Sequence, residues 1–378
     1  MTMLQPARQG WWNSVLLGIG VALVVVAASS MSFAGVARAE RGASDLRGAI
    51  IDPAGATSHR LSELASAGTN TAVLMLSSSE SKTKTAIRIA AVNAQRAGLD
   101  LAYWIEVARS PELADEHPRW MASLQTHEEW RRLFPETAKP GPSEVAKTYP
   151  WVPILARAPF EAQRKRLLKL LAEVPAPKLI FLNDLQGAPS ACGCGNSLCR
   201  WTSDYGPRRS TTPLDDNAAA LFIREIQTAA PDSEVIPVWT TECEEHDGSP
   251  DGLCAGVGCY DGLCWRAYTR QLMPVAETSR RLAVLALYQE FQRDLPHYGP
   301  AEASWIEYAV GTFQTMPPRH RGKAIPASRM IAVVQGWDVS ADQIEAQRSA
   351  AKRAGAAGSV VAYAKIDQSW TPKIVSWK

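Results

Sequence analysis

Several familiar signatures are missing from this sequence, and each absence removes a class of chemistry. No G-x-G-x-x-G follows its first apolar run, so a dinucleotide-binding turn has no support. No P-loop, G-x-S-x-G or H-E-x-x-H pattern occurs. The six histidines, His59, His117, His127, His246, His297 and His320, show no ligand spacing, so a zinc hydrolase is not expected. Charge of one sign is also missing. Forty basic residues face 38 acidic ones, a net charge of +2, which gives no phosphate-tracking surface and argues against nucleic acid as a partner. Low-complexity tracts and sequence repeats are absent. Beyond the first 40 residues no apolar run is long enough to cross a bilayer. Cysteine occurs only between Cys192 and Cys264, and without a C-x-x-C-H motif covalent haem attachment has no support.

The N-terminus reads as a targeting segment. Arg8 supplies a thin positive region, residues 15–28 are apolar and uncharged, and Ala37-Arg38-Ala39 offers the small residues a signal peptidase requires. Cleavage is predicted before Glu40, which makes 1–39 a signal peptide and 40–378 the mature domain. The other reading is an uncleaved anchor, but the apolar core is short for a span of about 20 residues. No lipid-acceptor cysteine ends the leader. The expected location is periplasmic or secreted, with no membrane attachment after cleavage.

In the mature part, short apolar runs alternate with helical patterns. The runs are 48–52, 71–76, 101–105, 179–183, 235–240, 282–288, 331–336 and 359–366. Most are continuously apolar, as parallel strands buried on both faces are. Helical periodicity appears over 84–97, 161–173 and 215–229, the last with Asp215 or Asp216 at its start. Ser340 and Gln343 form a capping box for a helix that runs to about Gly355. Glycines 68, 98, 355 and 358 stand where helices must turn back into strands. Eight alternations predict a single-domain (β/α)8 TIM barrel, with an open doubly wound sheet as the alternative. Long connections follow strand 3 (107–160) and strand 4 (185–213), and a moderately long one follows strand 5 (242–263). All three leave the strand ends where barrel enzymes build their sites.

Those strand ends carry carboxylates and aromatics. They are Asp52 after strand 1, Trp104 and Glu106 after strand 3, Asp184 after strand 4, and Trp239 and Glu242 after strand 5. Tyr288 and Glu290 follow strand 6, Trp337 and Asp338 strand 7, and Asp367 and Trp370 strand 8. Glycoside hydrolysis needs one carboxylic acid to protonate the leaving oxygen and a second carboxylate to attack or to activate water. Tryptophan faces cover sugar rings, and the chain has 13 tryptophans. Asp184, Glu242 and Glu106 are the candidate catalytic residues. Trp104, Trp239, Trp337 and Tyr288 are candidate substrate contacts. Asp52 and Asp338 equally suit helix capping.

Ile180-Phe181-Leu182-Asn183-Asp184, followed by Cys192-x-Cys194-x4-Cys199, resembles glycoside-hydrolase-like barrels of exported, bacterial-type proteins, in which an acidic residue ends strand 4 and a cysteine-rich loop follows. Asp115-Glu-His117-Pro118-Arg-Trp120 resembles a His-Pro-Glu-Trp loop after an early strand of such proteins. The resemblance implies that Asp184 is the nucleophile or acid and that His117 and Trp120 line a carbohydrate cleft. The sequence departs in its cysteine spacing and in having Asp184 and Asp338, not a glutamate pair, after strands 4 and 7. Two functions follow: an exported carbohydrate-active hydrolase, or a barrel that binds a saccharide or a surface partner without cleaving it.

Cys192, Cys194 and Cys199 follow strand 4; Cys243, Cys254, Cys259 and Cys264 follow strand 5. Neighbouring barrel strands set these loops side by side. Export favours three disulfides and one free thiol. A structural four-thiolate zinc site at Cys192, Cys194, Cys199 and Cys243 is the competing picture, and an iron–sulfur centre is a third. Asp247, Asp251 and Asp261 offer oxygen ligands for calcium at no recognisable spacing. In either of the first two pictures the cluster is structural, and no catalytic cofactor is expected.

Overall fold

The structure is a computed structural model that describes residues 45–76, 81–121, 123–124, 136, 144–147, 150–154, 156–185, 201–202, 217–240, 264–287, 303–319, 321–364 and 373–376. The leader 1–39 lies outside them. Among the described residues no helix is long and apolar enough to cross a membrane.

Eight parallel strands close into a barrel: β1 Leu46–Ile51, β2 Thr71–Leu76, β3 Asp100–Glu106, β4 Leu179–Asn183, β5 Glu234–Thr240, β6 Leu282–Ala286, β7 Met330–Gln335 and β8 Gly358–Ala362. Each pairs with its neighbours in sequence, and β8 returns to β1 through Leu46 opposite Gly358. Helices fill the crossovers: α1 Ser58–Ser66, α2 Ser81–Arg96, α3 Arg157–Glu173, α4 Ala218–Ala229, α5 Cys264–Thr278, α6 Ser304–Arg319 and α7 Ala341–Arg353. This is the expected (β/α)8 architecture.

Strand alternation divides the core into two layers. Leu46, Ile50, Val73, Ala102, Trp104, Phe181, Ile236, Val238, Ile331, Val333 and Val360 fill the barrel interior. Ile51, Leu74, Tyr103, Ile105, Leu182, Val235 and Trp239 pack outward beneath the helices with Leu61, Ile87, Leu167 and Phe222. Nearly every strand residue is buried on one side or the other, which is why the strands read as unbroken apolar runs.

Local signals placed the helix ends well. Ser340 Oγ accepts from the Gln343 backbone N–H at 3.2 Å, and Gln343 Oε1 accepts from the Ser340 N–H at 2.8 Å. Gly98 and Gly355 adopt φ of 72° and 80° where α2 and α7 turn toward β3 and β8. The sixth and eighth strands are shorter than expected, ending at Ala286 and Ala362. After Ala362 the N–H groups of both Tyr363 and Ala364 donate to one acceptor, Ile50 O, so the ladder stops there. The fourth helix is described from Ala218, after Asn217; Asp215 and Asp216 lie outside the described residues.

Two small antiparallel sheets bring together segments that follow different barrel strands. Ser123–Leu124, after β3, pairs with Trp201–Thr202, after β4. Glu144–Lys147, also after β3, pairs with Lys373–Ser376, after β8.

Candidate active site at the barrel mouth

Alternation along β3 turns Ala102, Trp104 and Glu106 to the lumen, with Glu106 last, at the C-terminal mouth. Along β4 the same rule turns Leu179, Phe181 and Asn183 inward. The register sets Trp104 opposite Phe181 and Glu106 opposite Asn183. The Trp104 and Phe181 rings stack with centroids 6.0 Å apart. The Glu106 carboxylate rests on this pair. Its Oε1 accepts from Trp104 Nε1 at 2.6 Å, and its Oε2 accepts from Asn183 Nδ2 at 2.9 Å.

Glu106 is only 7% exposed. Burying a carboxylate in an apolar barrel is expensive unless donors compensate it. Here both oxygens receive an N–H, and no Lys, Arg or His among the described residues forms an ion pair with it. Gln335, at the end of β7, is also buried at the mouth and donates from Nε2 to Trp337 O at 2.9 Å.

Asp184 follows Asn183, is 9% exposed and has φ 58°. A left-handed backbone costs a non-glycine residue about 1 kcal/mol, although Asp tolerates it better than most. Asp338, at φ 53°, repeats this conformation after β7 but is exposed. Asp52 behaves as a cap: its Oδ1 accepts from the Ala54 N–H at 2.8 Å.

Behind the mouth, the half-buried Arg166 of α3 reaches the end of β3. Its Nη2 donates to Glu106 O at 2.8 Å and to Val107 O at 3.0 Å. Burial lowers its pKa to about 10, against the raising influence of the Glu112 and Glu106 charges, so it remains a cation at neutral pH.

The predicted aromatics separate by position. Trp104 is 2% exposed and serves Glu106 through its indole N–H, so its ring face is packed rather than presented. Trp239 belongs to the outer layer with no exposed surface. Its position in β5 points it away from the lumen, beneath the helices. Trp337 is half-buried against the top of the lumen cluster. His117 and Trp120 stack on each other, centroids 3.8 Å apart and planes at 24°. With Glu116, Pro118, Arg119, Lys373 and Ile374 they line an open cleft of about 510 Å³.

Glu242 and Tyr288 lie outside the described residues, as do Cys192, Cys194, Cys199, Cys243, Cys254 and Cys259, and with them the zinc set and the calcium candidates Asp247, Asp251 and Asp261. Cys264 is the first residue of α5. The structure thus brings Glu106 and Asp184 to neighbouring strand ends, together with Asn183 and Arg166, neither of which was marked as functional. Asn183 stood in plain view beside Asp184. Arg166 gave no local signal for this role, because the carbonyls it holds lie about 60 residues earlier in the chain.

No family model and no curated protein matches the chain. Among solved structures it is similar to a chitinase from Chromobacterium violaceum ATCC 12472, with 10% identity over 85% of this chain and 94% of that one and a TM-score of 0.41. It is similar to GH5_18 from Streptomyces cattleya in complex with GlcNAc, with 10% identity over 84% of this chain and 70% of that one and a TM-score of 0.43. A third is a beta-glucosidase in its apo form, with 12% identity over 81% and 77% and a TM-score of 0.46.

Proposed function

We propose that this chain is an exported carbohydrate-active enzyme that hydrolyses glycosidic bonds at the mouth of its barrel. The observation that carries the reading is the buried Glu106 carboxylate, held by Trp104 and Asn183 beside the left-handed Asp184. Two N–H donors aimed at the two Glu106 oxygens suit its anionic form, the form a nucleophile or a water-activating base uses. Asp184 is the partner acid, and Glu242 is a third carboxylate for the same rim. Trp337 supplies an apolar surface over the lumen for a sugar ring. The leader is removed before Glu40, the cysteines are structural, and the reaction uses no resident cofactor.

The test is a glycan panel run with the mature protein and the variants Glu106→Gln and Asp184→Asn. General acid–base groups contribute about 10²–10⁴-fold, and loss of that size in both variants, with unchanged circular dichroism, is expected. Full turnover in either variant removes that residue from catalysis. The binding-only reading draws on the His117–Trp120 stack in its open cleft. It predicts saccharide affinity that Trp120→Ala removes, with no product on any glycan.

A further inference from the structure

We infer that Arg166 is the positioning residue for Glu106, and that it fixes the Glu106 carboxylate by clamping the end of β3 to the neck of the long excursion that follows it. The inference rests on the reading of Glu106 as the working carboxylate.

Between β3 and α3 the chain makes an excursion whose two ends are stitched together. Val152 N donates to Ala108 O at 2.7 Å and Ser110 N to Pro150 O at 2.9 Å, with a bridge between Arg109 and Trp151. Glu106 stands immediately before this neck. The neck therefore holds the strand end that carries the carboxylate.

Arg166 joins the pieces. One guanidinium nitrogen holds the carbonyls of both Glu106 and Val107. Its Nε donates to Gln163 Oε1 at 2.9 Å, and Gln163 Nε2 donates to Val152 O at 3.1 Å, on the returning side of the neck. Gln163 is fully buried. Val107 N, in turn, donates to Asn183 O at 2.9 Å, which ties the strand end to the residue that grips Glu106 Oε2. A planar guanidinium suits this task because it can hold a carbonyl pair and a side-chain amide at once in fixed geometry. An ammonium in its place keeps the charge and part of the grip.

The structure supplies its own reporter. Trp104 Nε1 donates to Glu106 Oε1 at 2.6 Å, so the indole proton senses where the carboxylate is. In a ¹H–¹⁵N spectrum of the mature protein, the Trp104 indole peak is identified by its loss in Trp104→Phe. Glu106→Gln shows where the peak lies without the charged acceptor. In Arg166→Met the peak is expected to move most of the way to that position while the indole peaks away from the neck, Trp151 excepted, stay in place. Arg166→Lys is expected to restore much of the wild-type position, and Gln163→Leu to shift the peak in the same direction by less. A folded Arg166→Met with an unmoved Trp104 peak overturns the inference. If Arg166→Met does not fold, Gln163→Leu decides: a shift supports the clamp, and no shift overturns it. The readout needs no substrate, so an inactive glycan panel and a failed clamp are separate results.

Discussion

At the scale of single residues, the candidate site was half legible. Glu106 and Asp184 are carboxylates that directly follow apolar runs, and position in sequence alone places such residues at the rim. Asn183 and Arg166 needed register and a distant helix, which spacing does not carry. The side of the sheet that Trp239 takes needed register for a related reason. A strand buried on both faces shows no alternation, so the sequence cannot say which of its residues faces the lumen. Asp184 allows a test that separates strain from stability. Its φ of 58° suits glycine, so in Asp184→Gly relief of the backbone is expected to give up to about 1 kcal/mol in denaturant titration, set against whatever the Asp184 side chain contributes, with turnover abolished. A loss of several kcal/mol would show that the Asp184 side chain is there to hold the fold.

At the scale of elements, caps were the readable part. Ser340→Ala removes one side of an observed capping box and is expected to lower stability by about 1 kcal/mol in urea unfolding, with the barrel unchanged. The contacts between helices were not readable, because they join distant segments. Lys84 of α2 meets Glu173 of α3 at 2.6 Å, and the hydrogen bond and charge of Lys84 lower the Glu173 pKa. A depressed carboxylate contributes stability above its unfolded value and loses it as pH falls through its folded value. The acid side of the stability profile is therefore expected to be flatter in Lys84→Gln, by a small amount, since the pair is solvent-accessible. Strand ends were the least legible feature: β8 stops where a shared acceptor, Ile50 O, ends the ladder, an event that belongs to the neighbouring strand.

At the scale of the whole molecule, the eight-fold alternation was enough to predict closure, but not the device that closes the seam. A Cβ at Gly358 would lie 2.4 Å from Leu46 O, so β8 approaches β1 only because that position has no side chain. Gly358→Ala is expected to destabilise the barrel by about 3 kcal/mol or more, seen as a fall in thermal midpoint, whereas Gly55→Ala, with open space around it, is expected to change little. The neck after β3 has a different consequence, one for the history of such a barrel. Ser110 N and Pro150 O are 2.9 Å apart, so the chain leaves the barrel and re-enters it at almost the same point. Replacing residues 111–149 by a short turn removes the pairings with Trp201–Thr202 and Lys373–Ser376 and is expected to leave the eight strands closed, which circular dichroism and thermal unfolding of the shortened protein check. Under the proposed reading, Glu106 and Asp184 stay with the barrel, while the cleft of His117 and Trp120 goes with the segment.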